Sequence, residues 1–238
     1  MIGVTEAPGQ PIDVGGRHRR WLTLVTVAVV LLVLAWVIGF SSVLGARTVT
    51  VKGNHAVATT TIRQTAGIRP GTPLLRLDKG AVQRRLAALP AVRSITVTTS
   101  YPSTVIITVT ERGAVAYRVS GAGWQLIDRD NVAFRTVAST PAGLPLVDDS
   151  GDVTKGAAAT TVAASLPTAV ANEVSTIAVP STESITLKLA DGRTILWGGT
   201  DRSNEKARLL QALLGQPGTY FDLSDPGAVI SRGARTGN

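Results

Sequence analysis

The most uniform stretch of the chain is apolar. WLTLVTVAVVLLVLAWVIGF, residues 21–40, holds no charged side chain. At about 1.5 Å per residue such a helix is roughly 30 Å long, the thickness of a bilayer core. A surface helix of a globular domain would carry a polar stripe, and none is present. A cleavable leader has an apolar core of about 7 to 15 residues, and Leu44 in LGAR is too large for a cleavage site. The pattern predicts a retained transmembrane helix, with Trp21, Trp36 and Phe40 near its ends, where aromatic rings favour the interface. Arg17, Arg19 and Arg20, with His18, abut its N-terminal end, and the first cation beyond it is Arg47. Cationic flanks stay in the cytoplasm, so residues 1–20 are expected inside as a disordered tail and the rest outside.

After a linker at 41–46 the pattern becomes globular. RTVTVKGN alternates as a strand does. ATTTIRQTAGI puts Ile62 and Ala66 on one helical face and stops at Gly67. Asp78 can cap a second helix over 79–88, where Val82, Leu86 and Leu89 share a face and Arg84 and Arg85 point off it; Pro90 ends it. Two strands then flank Tyr101-Pro102. In the second, Val105, Ile107 and Val109 face one way and Thr104, Ile106, Thr108 and Thr110 the other. The order is β-α-α-β-β over residues 47–115, two helices covering one face of a small mixed sheet.

From residue 114 strands dominate. A strand at 114–121 and a hairpin at 124–135 come first. Asp191-Gly192 between ITLKLA and RTILW signals another hairpin. A helical insert over 155–173 is split by Pro167. An amphipathic helix over 204–215 has Asn204 as its cap, Ala207, Leu210 and Leu214 on one face, and Gly215 as its stop. A strand at 219–223, a turn at Asp225-Pro226-Gly227 and a short apolar strand at 228–231 close the domain, with 232–238 as a tail. The fold class is α+β: a transmembrane helix, a β-α-α-β-β domain, and a mostly antiparallel β domain over 116–231 with flanking helices.

Composition narrows the chemistry. The chain of 238 residues has no cysteine, and its two histidines, His18 and His55, are far apart. Disulfides and Cys- or His-based metal sites are not expected. The net charge is +8, which suits nucleic acid, an anionic membrane or a surface polymer; a domain outside the membrane weakens the first. The acids at Asp128, Asp130, Asp148, Asp149 and Asp152 lie in Gly- and Asn-containing turns, where Asp bonds its own backbone. No G-x-S-x-G elbow, phosphate loop or H-E-x-x-H occurs. Trp124 and Trp197 read as core fillers rather than sugar platforms. The expectation is a protein without catalytic residues or cofactor.

Strand-Gly53-Asn54, helix, GTPLLRLD, helix, LPAVRSITV and YPSTVIITVTER together resemble a POTRA domain. One such domain directly after an N-in membrane helix resembles the bacterial cell-division family FtsQ, called DivIB in Gram-positives. GWQLIDRDNVAF is similar to that family's hairpin, with Asn131 where Gly is usual; Asn tolerates positive φ. LPLVDD at 144–149 and LKLADGRTILWGG at 187–199 follow in the family's order, and the likeness covers residues 17–231. It implies a non-enzymatic scaffold in the cell membrane at the division septum, which recruits FtsB- and FtsL-like membrane proteins outside the membrane and binds neither nucleic acid nor a small substrate. The physical means that the chain offers is strand addition: a terminal strand leaves one row of N–H and C=O groups unpaired. Tyr220, Phe221, Leu223, Val229 and Ile230 are the candidate anchors, about half of which must face the core because neighbours alternate. The alternatives are that all five are core, that the chain is an anchored POTRA chaperone of secretion or assembly, or that it binds or processes wall glycan.

Overall fold

The computed structural model describes residues 15–40, 44–121 and 123–233. In its first helix, side chains are described for residues 20–33 and 36. That helix, α1, spans Gly15–Phe40. It begins six residues before the apolar run and carries Arg17, Arg19 and Arg20 in its first turns. Among the described residues no helix is long and apolar enough to cross a membrane, so the expected span is not demonstrated. The large hydrophobes described between Trp21 and Trp36 of α1 are nonetheless all solvent-exposed, Leu24 at 68% and Leu32 at 69%. Its hydroxyl at Thr26 is turned back onto the Leu22 carbonyl, 2.9 Å away. Most of the predicted tail, residues 1–14, lies outside the described residues, as do linker residues 41–43 and the last five residues, 234–238.

The chain divides into two compact units. One takes the residues up to Lys52 with Thr59–Arg84 and Thr96–Thr108; the other takes Gly53–Ala58, Arg85–Ile95 and everything from Val109. The first sheet is built from β1 (Thr48–Lys52), β2 (Val92–Ser100) and β3 (Thr104–Glu111) in the order β1-β3-β2. β1 runs parallel to β3, with Val49 beside Val105 and Val51 beside Ile107. Between β1 and β2 come α2 (Thr59–Ala66), a 3₁₀ turn (Leu74–Arg76) and α3 (Lys79–Ala87), the expected β-α-α-β-β order. Asp78 opens α3 by accepting the Ala81 N–H at 2.8 Å. Ile62, Ala66, Leu74, Val82, Val105 and Ile107 are buried, the faces that periodicity selects.

The second sheet has nine strands: β4 (Ala114–Ser120), β5 (Gly123–Asp128), β6 (Ala133–Val137), β7 (Leu146–Asp148), β8 (Val174–Ala178), β9 (Ile185–Leu189), β10 (Thr194–Gly198), β11 (Tyr220–Asp222) and β12 (Ile230–Arg232). Their order is β12-β11-β10-β9-β8-β7-β4-β5-β6. Most pairs are antiparallel, but β4–β7, β7–β8 and β10–β11 are parallel. Parallel neighbours need a crossover, usually a helix. Here α4 (Val153–Ser165) and α5 (Thr168–Ala171) link β7 to β8, and α6 (Ser203–Leu213) links β10 to β11. These helices pack on one sheet face through Ala159, Val162, Val170, Ala207 and Leu210, against Ile177, Leu187, Ile195, Trp197 and Phe221. The alanine-rich side of α4 lets its backbone approach the strands closely. Pro167 separates α4 from α5 as predicted.

One predicted detail differs. Asn204 does not cap α6. The helix starts at Ser203 after Arg202, whose φ is 48°, and no side chain caps it. The Ser203 hydroxyl is already committed, donating to the Thr200 carbonyl at 2.7 Å and accepting from Trp197 Nε1 at 3.2 Å. The hairpin expected at Asp191-Gly192 forms between β9 and β10, with Gly192 left-handed at φ 88°.

Candidate functional site

The terminal pair of the large sheet is built by the alternation of Tyr220, Phe221, Asp222 and Leu223. Phe221 is 1% exposed and Leu223 fully buried, both within the helix-covered core. Opposed residues of an antiparallel pair share a sheet face. β11 and β12 set Tyr220 opposite Arg232 and Asp222 opposite Ile230, so these four stand together on the side away from that core. Val229 and Ile230 are exposed, at 37% and 46%, and Tyr220 is half-buried. The five predicted anchors therefore split. Phe221 and Leu223 are core residues and are withdrawn as anchors, because the helical layer covers only one face and period two sends alternate side chains into it. Tyr220, Val229 and Ile230 remain outside.

The edge is held firmly from behind. The Leu223 N–H donates to Leu196 O at 2.8 Å and the Thr219 N–H to Arg232 O at 3.1 Å. Gly233 adopts φ 80°, and a Cβ there would overlap the Thr219 hydroxyl. In the connection to β12, Asp225 Oδ1 accepts the Gly227 N–H at 3.0 Å and Arg202 Nη2 at 2.8 Å. Those two bonds keep the Asp225 carboxyl below its usual range despite some opposition from desolvation. On its outer side β12 has no neighbour among the described residues: all three of its residues are exposed. Arg232, assigned to the tail by sequence, belongs to this strand. The second free edge, β6, was visible in sequence only as half of a hairpin. Which strands end a sheet is set by long-range order, for which local pattern carries no signal.

Asp128, Asp149 and Asp152 serve the backbone. Asp128 accepts the N–H groups of Val132 at 2.9 Å and Asp130 at 3.0 Å, together with Arg112 Nη1. Burial pushes its carboxyl up, but these bonds outweigh burial and hold it below the ordinary aspartate range. Asp130 pairs with Arg93 at 3.0 Å. Asp149 accepts the Gly151 N–H at 2.9 Å and lies 3.6 Å from Arg118. Asp152 caps α4 through Thr154 and Lys155. Asp148 is exposed on β7. Asn131 takes φ 57°, the conformation its place in the hairpin requires. Trp197 is buried and Trp124 half-buried. Among the described residues no cluster of His, Cys, Asp and Glu is arranged to hold a metal ion.

Residues 44–112 match the FtsQ-type POTRA domain and residues 116–224 the C-terminal domain of cell division protein FtsQ/DivIB. Cell division protein FtsQ of Streptomyces collinus is 32% identical over 250 residues, covering 96% of this chain and 95% of that one. The chain belongs to the FtsQ/DivIB family. The FtsQ proteins of Mycobacterium tuberculosis and Mycolicibacterium smegmatis are each 42% identical, over 87% and 89% of this chain and 67% and 64% of theirs. The extracytoplasmic domain of the division protein DivIB from Geobacillus stearothermophilus aligns with 43% of this chain and 87% of that one, at 18% identity and a TM-score of 0.35. This FtsQ/DivIB member is a cell division protein. Its α+β architecture, a small POTRA-like sheet with two helices followed by a large helix-covered sheet, is the one that the sequence resemblance implied.

Proposed function

We propose that this FtsQ/DivIB member is a membrane-anchored, non-catalytic scaffold that recruits FtsB- and FtsL-like membrane division proteins and accepts a partner strand along β12. The observation that carries this reading is the free outer edge of β12, flanked by outward Tyr220, Val229 and Ile230. Main-chain pairing along an open edge supplies affinity, and side chains beside it supply selectivity. Each added hydrogen bond is worth roughly 1 kcal/mol net. The anchor is α1, with residues 21–40 in the bilayer, Arg17, Arg19 and Arg20 on the cytoplasmic side, and the POTRA (47–115) and β (116–231) domains outside. Its support is the uncharged run and the exposed hydrophobes around the helix; positive flanks set the direction.

Ser231→Pro tests the strand. It removes a donor and stiffens an edge where Pro is otherwise tolerated. The variant should stay folded and lose binding of an FtsB-like extracytoplasmic segment. Normal binding by a folded Ser231→Pro protein rules strand addition out. Loss of binding on deleting residues 234–238 alone moves the site to the tail.

A further inference from the structure

We propose that the 69–76 loop docks on a bilayer surface bearing anionic headgroups, with Leu75 entering the interface and Arg69 and Arg76 on the phosphates; this rests on α1 being the membrane anchor. The charge distribution comes first. Residues 44–112 hold ten Lys or Arg and two Asp or Glu, so the +8 of the entire chain is matched by this region alone. Both carboxylates have other work. Asp78 caps α3, and Glu111 accepts the backbone N–H groups of His55, Ala56 and Val57 at 2.9–3.1 Å. Arg47, Lys52, Arg69, Arg76, Lys79 and Arg84 are exposed, Arg84 lying 4.0 Å from Asp78, so cations dominate the exposed charge of the region that follows the apolar helix.

The loop's position comes second. Gly71 donates to Ala46 O and Ala46 to Thr72 O, both at 2.8 Å, and Gly45 bridges to Pro73. A Cβ on Gly45 would lie 2.6 Å from the Gly71 carbonyl oxygen, so two backbones touch where only glycine fits. The loop is thereby pinned to residues 45 and 46, five and six positions beyond the end of α1. Even fully extended, five residues span at most about 17 Å. The headgroup layer takes up several ångströms of that, roughly 5 to 8 Å per leaflet.

The third observation is what the loop presents. Leu74 is 2% exposed and fixes the 3₁₀ turn from below, while its neighbour Leu75 is 65% exposed. An outward leucine between two arginines fits an interface: the apolar side chain enters the acyl boundary and the guanidinium groups stay at headgroup level. Each basic residue near an anionic surface is worth roughly fivefold in occupancy, and salt screens the attraction.

The test uses the chain of 238 residues, which contains no cysteine. Leu75→Cys and, separately, Val30→Cys carry a small environment-sensitive fluorophore in vesicles of phosphatidylcholine with or without phosphatidylglycerol. The expected result is an apolar environment at position 75 only with phosphatidylglycerol. Arg69→Gln with Arg76→Gln should lower the docked-to-undocked ratio roughly 25-fold, and the label at position 30 should report lipid in both. A label at 75 that reports water in both vesicles, or lipid equally in both and regardless of the arginines, overturns the docking while the anchor stands. A label at 30 that reports water overturns the anchor, and the docking with it.

Discussion

Arg112 donates from Nη1 to Oδ2 of Asp128 at 2.5 Å, and Asp128 is 1% exposed. Arg112 also holds the Pro90 carbonyl at 3.2 Å. One guanidinium thus neutralises a buried carboxylate and satisfies a backbone acceptor, while the carboxylate organises the β5–β6 turn. Removing one partner of a buried pair leaves the other charge uncompensated, which costs about 3 kcal/mol or more.

Asp128→Asn is therefore expected to lower stability by about 3 kcal/mol, whereas Asp152→Asn should leave stability close to the parent's, because Asn caps a helix nearly as well. Urea unfolding of the two variants separates them. Equal losses would mean that the Arg112 pair contributes no more than a helix cap.

The same carboxylate predicts acid sensitivity. Its folded pKa is depressed, so the stability it confers is fully present above the unfolded aspartate value of about 3.9 and disappears as pH falls through the lower folded value. Glu111 adds to this: burial raises its pKa, but the N–H groups of Val57, Ala56 and His55 together lower it. Stability measured from pH 6 down to pH 2 should fall below about pH 4, and the slope should be shallower in Asp128→Asn.

Lys206 is fully buried, with Nζ donating to Trp197 O and Gly199 O at 3.0 Å each. Lys206→Met keeps the bulk and leaves both carbonyls unpaired at the start of the β10–α6 connection. A loss of about 2 to 4 kcal/mol is expected; thermal unfolding checks it, and a stability equal to that of the parent would show that these acceptors find other donors.

The β11 alternation gives a pair of opposite outcomes. Phe221→Ala should destabilise by about 3 to 5 kcal/mol as a core truncation. Tyr220→Ala and Ile230→Ala should stay within roughly 1 kcal/mol of the parent and weaken partner binding. Calorimetry together with binding of an FtsB-like segment distinguishes the classes; a folded Tyr220→Ala, Ile230→Ala double variant with unchanged affinity would remove the outward face from the site.

The predicted topology has its own measurement. A reporter that is active only outside the cytoplasm, fused after Asn238, should be active. Replacing Arg17, Arg19 and Arg20 with Gln should reduce correct insertion. Activity of a cytoplasmic-only reporter at that position would reverse the orientation.

By itself the sequence determined what depends on neighbours within a few positions. Ile62 with Ala66, and Val105 with Ile107, lie on the buried faces that periods of 3.6 and 2 assign. Asp78, Pro167 and Asn131 sit where capping, ring geometry and tolerance of positive φ put them. The order of the family motifs disclosed the POTRA-type and C-terminal domains. Only the tertiary structure decided the rest. Strand order along the nine-stranded sheet, the parallel β10–β11 pair and the terminal place of β12 come from contacts between segments far apart in sequence. The choice between Tyr220 and Phe221 as the outward residue came from α6 and its neighbours covering one sheet face. Alternation fixes that two adjacent side chains point opposite ways, but only the layer packed against the sheet determines which way is in.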